Sequence, residues 1–336
     1  MSKEINLILQ KLIKSLDLNH LESDLLVKKI FKKKIDDCCL SSILTLLFIK
    51  GESYEEIKSF VFYLKNKATK IRINDDFMDT CGTGGDNKNS FNFSTATSIV
   101  LSSFDVKIVK HGNRSVTSKS GSFDVLESLG IKLFDNPSKV QNFFKKHGIC
   151  FLFAPFFHPI LAEVSHIRKS LLFRTIFNLL GPLLNPANPS FQIIGVSDEK
   201  NLQTHSKCLR DLKVKKAWVV HNSNGYDELT TLSENKFIEV TKNGISKVKI
   251  LDPSKFGFKK CSENELRGGD ANENAFLMKR VFEGETGPIR DNVILNSAVG
   301  LVISNKAKNI HEGIEMVNYN INNGLVIKKL NSLVRG

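Results

Sequence analysis

The sequence predicts an α/β protein: a small all-helical domain first, then a larger α/β domain with a mostly parallel central sheet. Three observations predict it. The first seventy residues carry helical periodicity only, and from Phe77 onward short apolar runs alternate with helical stretches and glycine turns. A chain of 336 residues also exceeds what one hydrophobic core usually fills, since single cores stop growing near about 250–300 residues.

In order along the chain, Ile5, Ile8, Leu9, Leu12, Ile13 and Leu16 recur at the spacing of one apolar helical face. A second helix is expected over Leu21–Phe31 and a third over Ile35–Ile49, stopped by Gly51. Ser53 with Glu56 three positions on forms a capping box that opens a fourth helix, running to Lys67. The runs Phe77–Met78, Val106–Val109, Cys150–Phe153, Gln192–Val196 and Ala217–Val220 read as parallel strands joined by crossover helices. His158–Leu184 is helical again and is expected to pack back on the first domain. The expected division is therefore 1–71 with 160–188 as the helical domain and 72–159 with 189–336 as the α/β domain. Glu228–Val240 reads as antiparallel strand, and helices over Ala275–Glu283 and Asp291–Asn305 close the pattern.

Composition excludes several classes. The net charge of +13 raises the question of a polyanionic partner. The lysines are scattered, with only short runs such as Lys32-Lys33-Lys34, and no basic run is interleaved with aromatics, so nucleic acid is not the expected partner. The six cysteines show no metal-type spacing and read as reduced, mostly buried thiols. No apolar stretch approaches a membrane span; even Cys150 to Ala162 is broken by Pro155, His158 and Pro159. Met1-Ser2-Lys3-Glu4 runs straight into a helical pattern without a signal-peptide core, so a cytoplasmic location is expected.

Cys81-Gly82-Thr83-Gly84-Gly85-Asp86 follows a strand directly. Clustered glycines let backbone amides approach an anion, and the loop leads to a helix near Ser94-Thr95 whose free amides suit phosphate. The spacing is neither that of a Rossmann fingerprint nor that of a P-loop. The terminal Asp86 implies a sugar hydroxyl, a metal ion or an orienting role. A second cradle, Lys110-His111-Gly112-Asn113-Arg114-Ser115-Val116-Thr117-Ser118, sits at a strand end, the edge where open α/β sheets bind ligands. Gly121-Ser122 then opens a short helix, closed by Gly130. Arg168, on a helical stretch, could pair with a small carboxylate in fork geometry, ahead of the segment Arg174-Thr175-Ile176-Phe177-Asn178. His158 reads as a packed or capping residue, or as the wall of a substrate channel. Asp227-Glu228 after the strand Ala217–Val220 offers hard oxygens for magnesium.

These four segments, in this order and spacing, resemble the anthranilate phosphoribosyltransferases, and the likeness spans nearly the whole chain. The resemblance implies the nucleoside phosphorylase/phosphoribosyltransferase type of fold, a phosphoribosyl pyrophosphate donor, two Mg2+ ions, a homodimer formed through the helical domain and a step of tryptophan biosynthesis. By the same resemblance Gly82, Gly85, Asp86, Ser90, Asn92, Phe93, Ser94, Thr95, Ser122 and the whole segment from Lys110 to Ser118 would meet the donor. Gly82, Asn113 and Arg168 would hold anthranilate, and Ser94, Asp227 and Glu228 the metal. Three positions depart from the family pattern: Asn87 and Leu172 stand where glycine is usual, and Phe123 where a small residue is. The implied chemistry is departure of pyrophosphate from the anomeric carbon and capture of an oxocarbenium-like ribosyl centre by an amine that is already neutral. No residue is therefore expected as a general base. Two alternatives remain open at this point, a pyrimidine-nucleoside phosphorylase and a nucleic-acid-binding relative.

Overall fold

The structure is a computed structural model that describes residues 3–115 and 119–335. Four helices open it: α1 (Lys3–Ile13), α2 (His20–Phe31), α3 (Asp37–Lys50) and α4 (Tyr54–Lys67). The expected capping box is present: the Glu56 carboxylate accepts from the Ser53 N–H at 2.7 Å, and Gly51 ends α3 at φ +83°. Asn19 and Glu22 form a second box, at the start of α2. In α1, Ile5, Ile8 and Leu12 are buried, but the helix ends at Ile13. That residue is 67% exposed and Leu16 is 50% exposed, so neither belongs to the buried face the spacing predicts.

The sheet comprises β1 (Met78–Gly82), β2 (Ile108–Gly112), β3 (Ile149–Phe153), β4 (Phe191–Gly195), β5 (Lys216–Asn222), β6 (Asn235–Thr241), β7 (Gly244–Ile245) and β8 (Lys249–Leu251). The order is β3-β2-β1-β4-β5-β6-β7; β3 to β5 are parallel, β6 is antiparallel to β5, and β8 pairs with β6. Chain order reverses between β1 and β4, and that switch point is where a doubly wound sheet opens a crevice at its carboxyl edge. The intervening helices are α5 (Phe93–Ser102), α6 (Ser122–Ser128), α7 (Pro137–His147), α8 (Ala154–Phe157), α9 (Ser165–Leu171), α10 (Ile176–Leu180) and α11 (Asn201–Asp211). Four more follow the sheet: α12 (Ala271–Phe282), α13 (Pro288–Ile303), α14 (Ile310–Asn322) and α15 (Leu325–Val334), the last two beyond the sequence expectation.

Strand begins only at Asn235, not at Glu228. The residues before it are held by side chains instead of a ladder. Asn292 Oδ1 accepts from the Thr231 N–H at 2.8 Å, Asn296 Oδ1 from Leu229 N–H at 3.3 Å and Asn235 Oδ1 from Thr230 N–H at 2.9 Å. Once asparagines satisfy a loop's amides, the loop has no need of a neighbouring strand.

Alternation on the strands divides the core. Ala217 and Val219 of β5 face a cluster shared with α1–α4, α9 and α10, while Trp218 and Val220 face a second cluster with β1–β3 and α12–α15. The first helices thus share one apolar core with a sheet face. Beneath them Glu56 and Lys50 form a buried ion pair at 3.0 Å, and Glu56 also accepts from the Leu18 N–H at 3.0 Å. Removing one partner of a buried pair costs about 3–5 kcal/mol where the other charge is stranded, and Lys50 keeps Asp17 at 2.7 Å, which puts Glu56 at the lower end of that range. Glu56→Ala should therefore lower the free energy of unfolding by about 3 kcal/mol. Glu22→Ala, at an exposed cap, should cost only about 1 kcal/mol. Denaturant titration checks both, and equal effects would show that the buried pair contributes nothing special.

Candidate functional site

Gly82 and Gly195 are register partners at the carboxyl ends of β1 and β4. The loop bearing Asp227 crosses directly over them. A Cβ on Gly195 would lie 1.4 Å from the Asp227 carbonyl oxygen, and one on Gly82 would lie 2.1 Å from its Oδ2. Both positions therefore require glycine for close approach, not for backbone angle. Asp227 Oδ2 accepts from the Gly84 N–H at 2.6 Å, and the Thr83 N–H donates to Gly195 O at 2.9 Å. The loop turns through left-handed angles at Gly84, Gly85, Asn87 and Asn89.

Three carboxylates gather at this crevice. Burial, then the charge of Asp86, pushes Asp227 up to about 7. Burial, then Asp227 and Asp86, pushes Glu228 well above the carboxylate range, and burial raises Asp86 as well. Asp86 Oδ2 is buried with no hydrogen-bond partner. These are desolvated, mutually repelling oxygens. Hard oxygen donors in excess of local positive charge fit a divalent magnesium ion. Among the described residues, no group of three His, Cys, Asp or Glu side chains is arranged to hold an ion by itself.

The phosphate-facing parts surround these acids. Asn92 caps α5 without a side-chain cap bond, accepting instead from Asn274 Nδ2 at 2.8 Å, and Glu228 accepts from the Ser94 N–H at the helix start. Ser90 Oγ donates to Glu228 at 3.5 Å. The Lys110 ammonium is buried, donating to Thr80 O and, at 3.2 Å, to Ser94 Oγ, so its charge lies behind the helix start. Phe93 and Thr95 are fully buried, and among the described residues the Thr95 hydroxyl has no hydrogen-bond partner. His111 donates its N–H to Asp79 at 3.2 Å, and its ring lies against Gly181 O and the His158 ring. Burial and the neighbouring His158 push His111 down to about 3, so the ring is neutral at physiological pH. Gly112 leaves room for Ser122 Oγ, which donates to Asn113 O at 3.2 Å. Arg114 is exposed and turned to Glu127 at 2.6 Å, while the Ser115 N–H donates to Asp124 at 3.0 Å. Val116, Thr117 and Ser118 lie outside the described residues.

Among the described residues Arg168 has no carboxylate partner. Its guanidinium lies over the Phe177 ring at 5.5 Å, and its Nε is buried without a hydrogen-bond partner. Arg174, which sequence analysis left without a role, is the better-anchored cation. Its Nη1 donates to Ser197 at 2.8 Å, while Nε and Nη2 are buried without partners beside Gly85, whose added Cβ would sit 2.1 Å from Nη2. Gly85 serves the turn by its left-handed φ and also leaves room for Arg174, and that second requirement is visible only once the partner is known.

Residues 6–68 match the helical bundle domain of a glycosyl transferase family, and residues 74–327 match its α/β domain. The anthranilate phosphoribosyltransferase of Petrotoga mobilis is 44% identical over 330 residues, covering 98% of this chain and 96% of that protein. That of Geobacter sulfurreducens is 40% identical over 339 residues, with 96% and 97% covered. The chain belongs to the anthranilate phosphoribosyltransferase family. The crystal structure of the Thermus thermophilus anthranilate phosphoribosyltransferase superposes at TM-score 0.88 with 32% identity, covering 98% and 99% of the two chains. That of Saccharomyces cerevisiae in complex with PRPP and Mg also superposes at 0.88, with 27% identity and 100% and 98% covered.

The three departures from the family pattern have plain structural readings. Asn87 sits at φ +58° and Leu172 at φ +56°, the left-handed region that glycine adopts freely. Asparagine tolerates it, whereas Leu172 carries a penalty of about 1–2 kcal/mol and is 93% exposed. Phe123 is buried, its ring against Phe153 and beside Gly112.

Gly195→Ala should push the Asp227-Glu228 loop off the crevice and lower turnover at least a hundredfold, while Gly257→Ala, which strains the backbone but meets no atom within 4 Å, should leave turnover nearly unchanged. Steady-state assays on both variants read the difference, and equal turnover would remove the close-approach argument.

Proposed function

We propose that the chain transfers the phosphoribosyl group of 5-phosphoribosyl 1-diphosphate to the amine of anthranilate, releasing diphosphate, in tryptophan biosynthesis. Family membership at 44% identity supports this over the phosphorylase and nucleic-acid alternatives. The observation that carries it is the placement of three carboxylates, Asp227 buried and Asp86 and Glu228 half-buried, beside a glycine loop and an open helix start, all at one switch point. A diphosphate donor needs the loop, and its metal needs the acids.

In this reading Gly82, Gly85, Asp86, Ser90, Asn92, Ser122 and the start of α5 seat the donor, and the buried Lys110 adds positive potential behind Ser94. Asp227 and Glu228, with Ser94, would hold two magnesium ions, the donor's own oxygens completing their ligand sets. Magnesium, when bound, neutralises charge on the departing diphosphate. Arg168 would take the anthranilate carboxylate, its unpartnered Nε and the face of Phe177 fixing the guanidinium plane. Asn113 and Gly82 would border that acceptor. The amine is neutral, so no side chain has to remove a proton before attack, and positioning supplies the rate.

We also propose that residues 1–71 with 160–188, and 72–159 with 189–336, are the two functional units, the second carrying the donor site and the first contributing Arg168. A homodimer through the first fits the exposed Leu7, Ile13, Leu16, Leu21, Phe48 and Ile49, an apolar set larger than scattered surface residues account for. A cytoplasmic location fits a chain in which, among the described residues, no helix is long and apolar enough to cross a membrane.

Loss of anthranilate fluorescence should require both the donor and magnesium; consumption without either would overturn the assignment. In the same assay Asp227→Asn with Glu228→Gln should cut turnover by two to three orders of magnitude, about 3–4 kcal/mol of barrier. Its thermal midpoint without magnesium should hold or rise, because the variant loses like-charge repulsion. Near-normal turnover at ordinary magnesium would refute the metal ligands.

Arg168→Ala should raise KM for anthranilate at least tenfold and leave KM for the donor within twofold. Equal weakening of both would assign Arg168 a structural role.

A further inference from the structure

The edge of the sheet opposite the site holds a second concavity. A cavity of about 610 Å³ lies where the segments preceding β1, β4 and β5 meet the end of α4. Lys65, Lys70, Arg72 and Lys213 line it against a single carboxylate, Asp211. Asp211 is already engaged from its other side by Lys58 at 2.9 Å, by Arg210 at 3.0 Å and by the Tyr54 hydroxyl. None of the four cations has an ion-pair partner among the described residues. Lys65 donates to the Asn185 carbonyl at 2.6 Å and Lys70 to the Lys65 carbonyl at 3.0 Å. Four cations facing one another without counter-charge repel, and a neutral carbonyl offsets little of that. Burial holds Lys65 down at about 8, with a smaller push from Lys70 and against the longer-range pull of Asp79.

We propose that this cavity is a second anion-binding site, made for a small phosphate-bearing molecule. Its volume lies within the roughly 300–1,000 Å³ of small-molecule sites. Three lysines and an arginine fork supply more charge than one carboxylate would neutralise, which favours a multiply charged phosphate. The cations line a concavity instead of forming a stripe along a surface, so a compact anion fits better than a nucleic-acid strand. None of the four belongs to the donor cradle.

Inorganic pyrophosphate is the probe, titrated by calorimetry without magnesium. Lys70 and Lys213 are exposed at the mouth, so the Lys70→Ala/Lys213→Ala variant should fold normally and keep the donor KM within twofold. It should bind one equivalent of pyrophosphate fewer than the parent chain. Its thermal midpoint without anion should be equal or higher, because repulsion is relieved, and the rise on adding pyrophosphate should shrink. Arg72→Gln alone should weaken the same equivalent at least tenfold. An unchanged number of equivalents in the double variant would overturn the site. So would stoichiometric displacement of that equivalent by a short oligonucleotide, which would make the face a nucleic-acid surface.

Discussion

Because Gly82 and Gly195 pair in register at the ends of β1 and β4, and neither carries a Cβ, the Asp227 backbone can lie across the switch point of the sheet. The rest of the site follows from that approach. With the loop seated there, Asp227 reaches the Gly84 N–H, Glu228 reaches the start of α5, and Asp86 is drawn under both. A methyl group at either position would push the loop away from the sheet and disperse the three carboxylates. Glycine here serves space and not flexibility, which separates these two from Gly84 and Gly85, whose positive φ shapes the turn.

Local signals were legible in the sequence because their physics is local. Ser53 and Glu56 announce a helix start without reference to anything distant, and five parallel strands are visible as short apolar runs between turns. The glycine–aspartate loop and the Lys110 segment were legible for the same reason: their residues are contiguous. What escaped depends on partners far along the chain. The Glu228–Glu234 stretch looked like strand because its apolar content suits one; Asn292 and Asn296, some sixty positions on, hold its amides instead. Gly195 and Arg174 matter only through Asp227 and Gly85, and no spacing rule links such pairs. The last two helices carry ordinary amphipathic faces and were missed for want of a chemical motif to draw attention to them.

The charge balance of the site explains why its acids are costly alone. Desolvation and mutual repulsion both disfavour the ionised forms, so folding a chain with Asp86, Asp227 and Glu228 together spends stability. Arg174 and Lys110 return part of it by their charge. They do not return all of it, since Asp227 still sits near 7 and Asp86 keeps a buried oxygen without a partner. Stability withheld in this way is recovered when a cation binds, which couples metal binding to the order of the loop.

Another buried carboxylate, Asp79 on β1, has a different task. It is fully buried and pushed up to about 6 by that burial, although Lys110 pulls it down. Its two oxygens are divided: one accepts from the His111 N–H at 3.2 Å, the other from Asn185 Nδ2 at 2.9 Å. Asn185 in turn donates to Val109 O at 2.8 Å, and its own carbonyl receives the Lys65 ammonium of α4. A single chain of hydrogen bonds thus runs from the last turn of the helical unit, through the sheet, to the backbone of the Lys110–His111 cradle. Such a chain fixes where the cradle stands relative to α4, because each buried donor or acceptor has no solvent to fall back on. Asparagine at 185 is the residue that can do this, with two amide hydrogens for Asp79 and Val109 and a side-chain oxygen that accepts from the Ala187 N–H at 3.0 Å. Leucine of similar size would leave the Asp79 oxygen and the Val109 carbonyl unpaired in the core, and the cradle would lose its fixed height above the sheet.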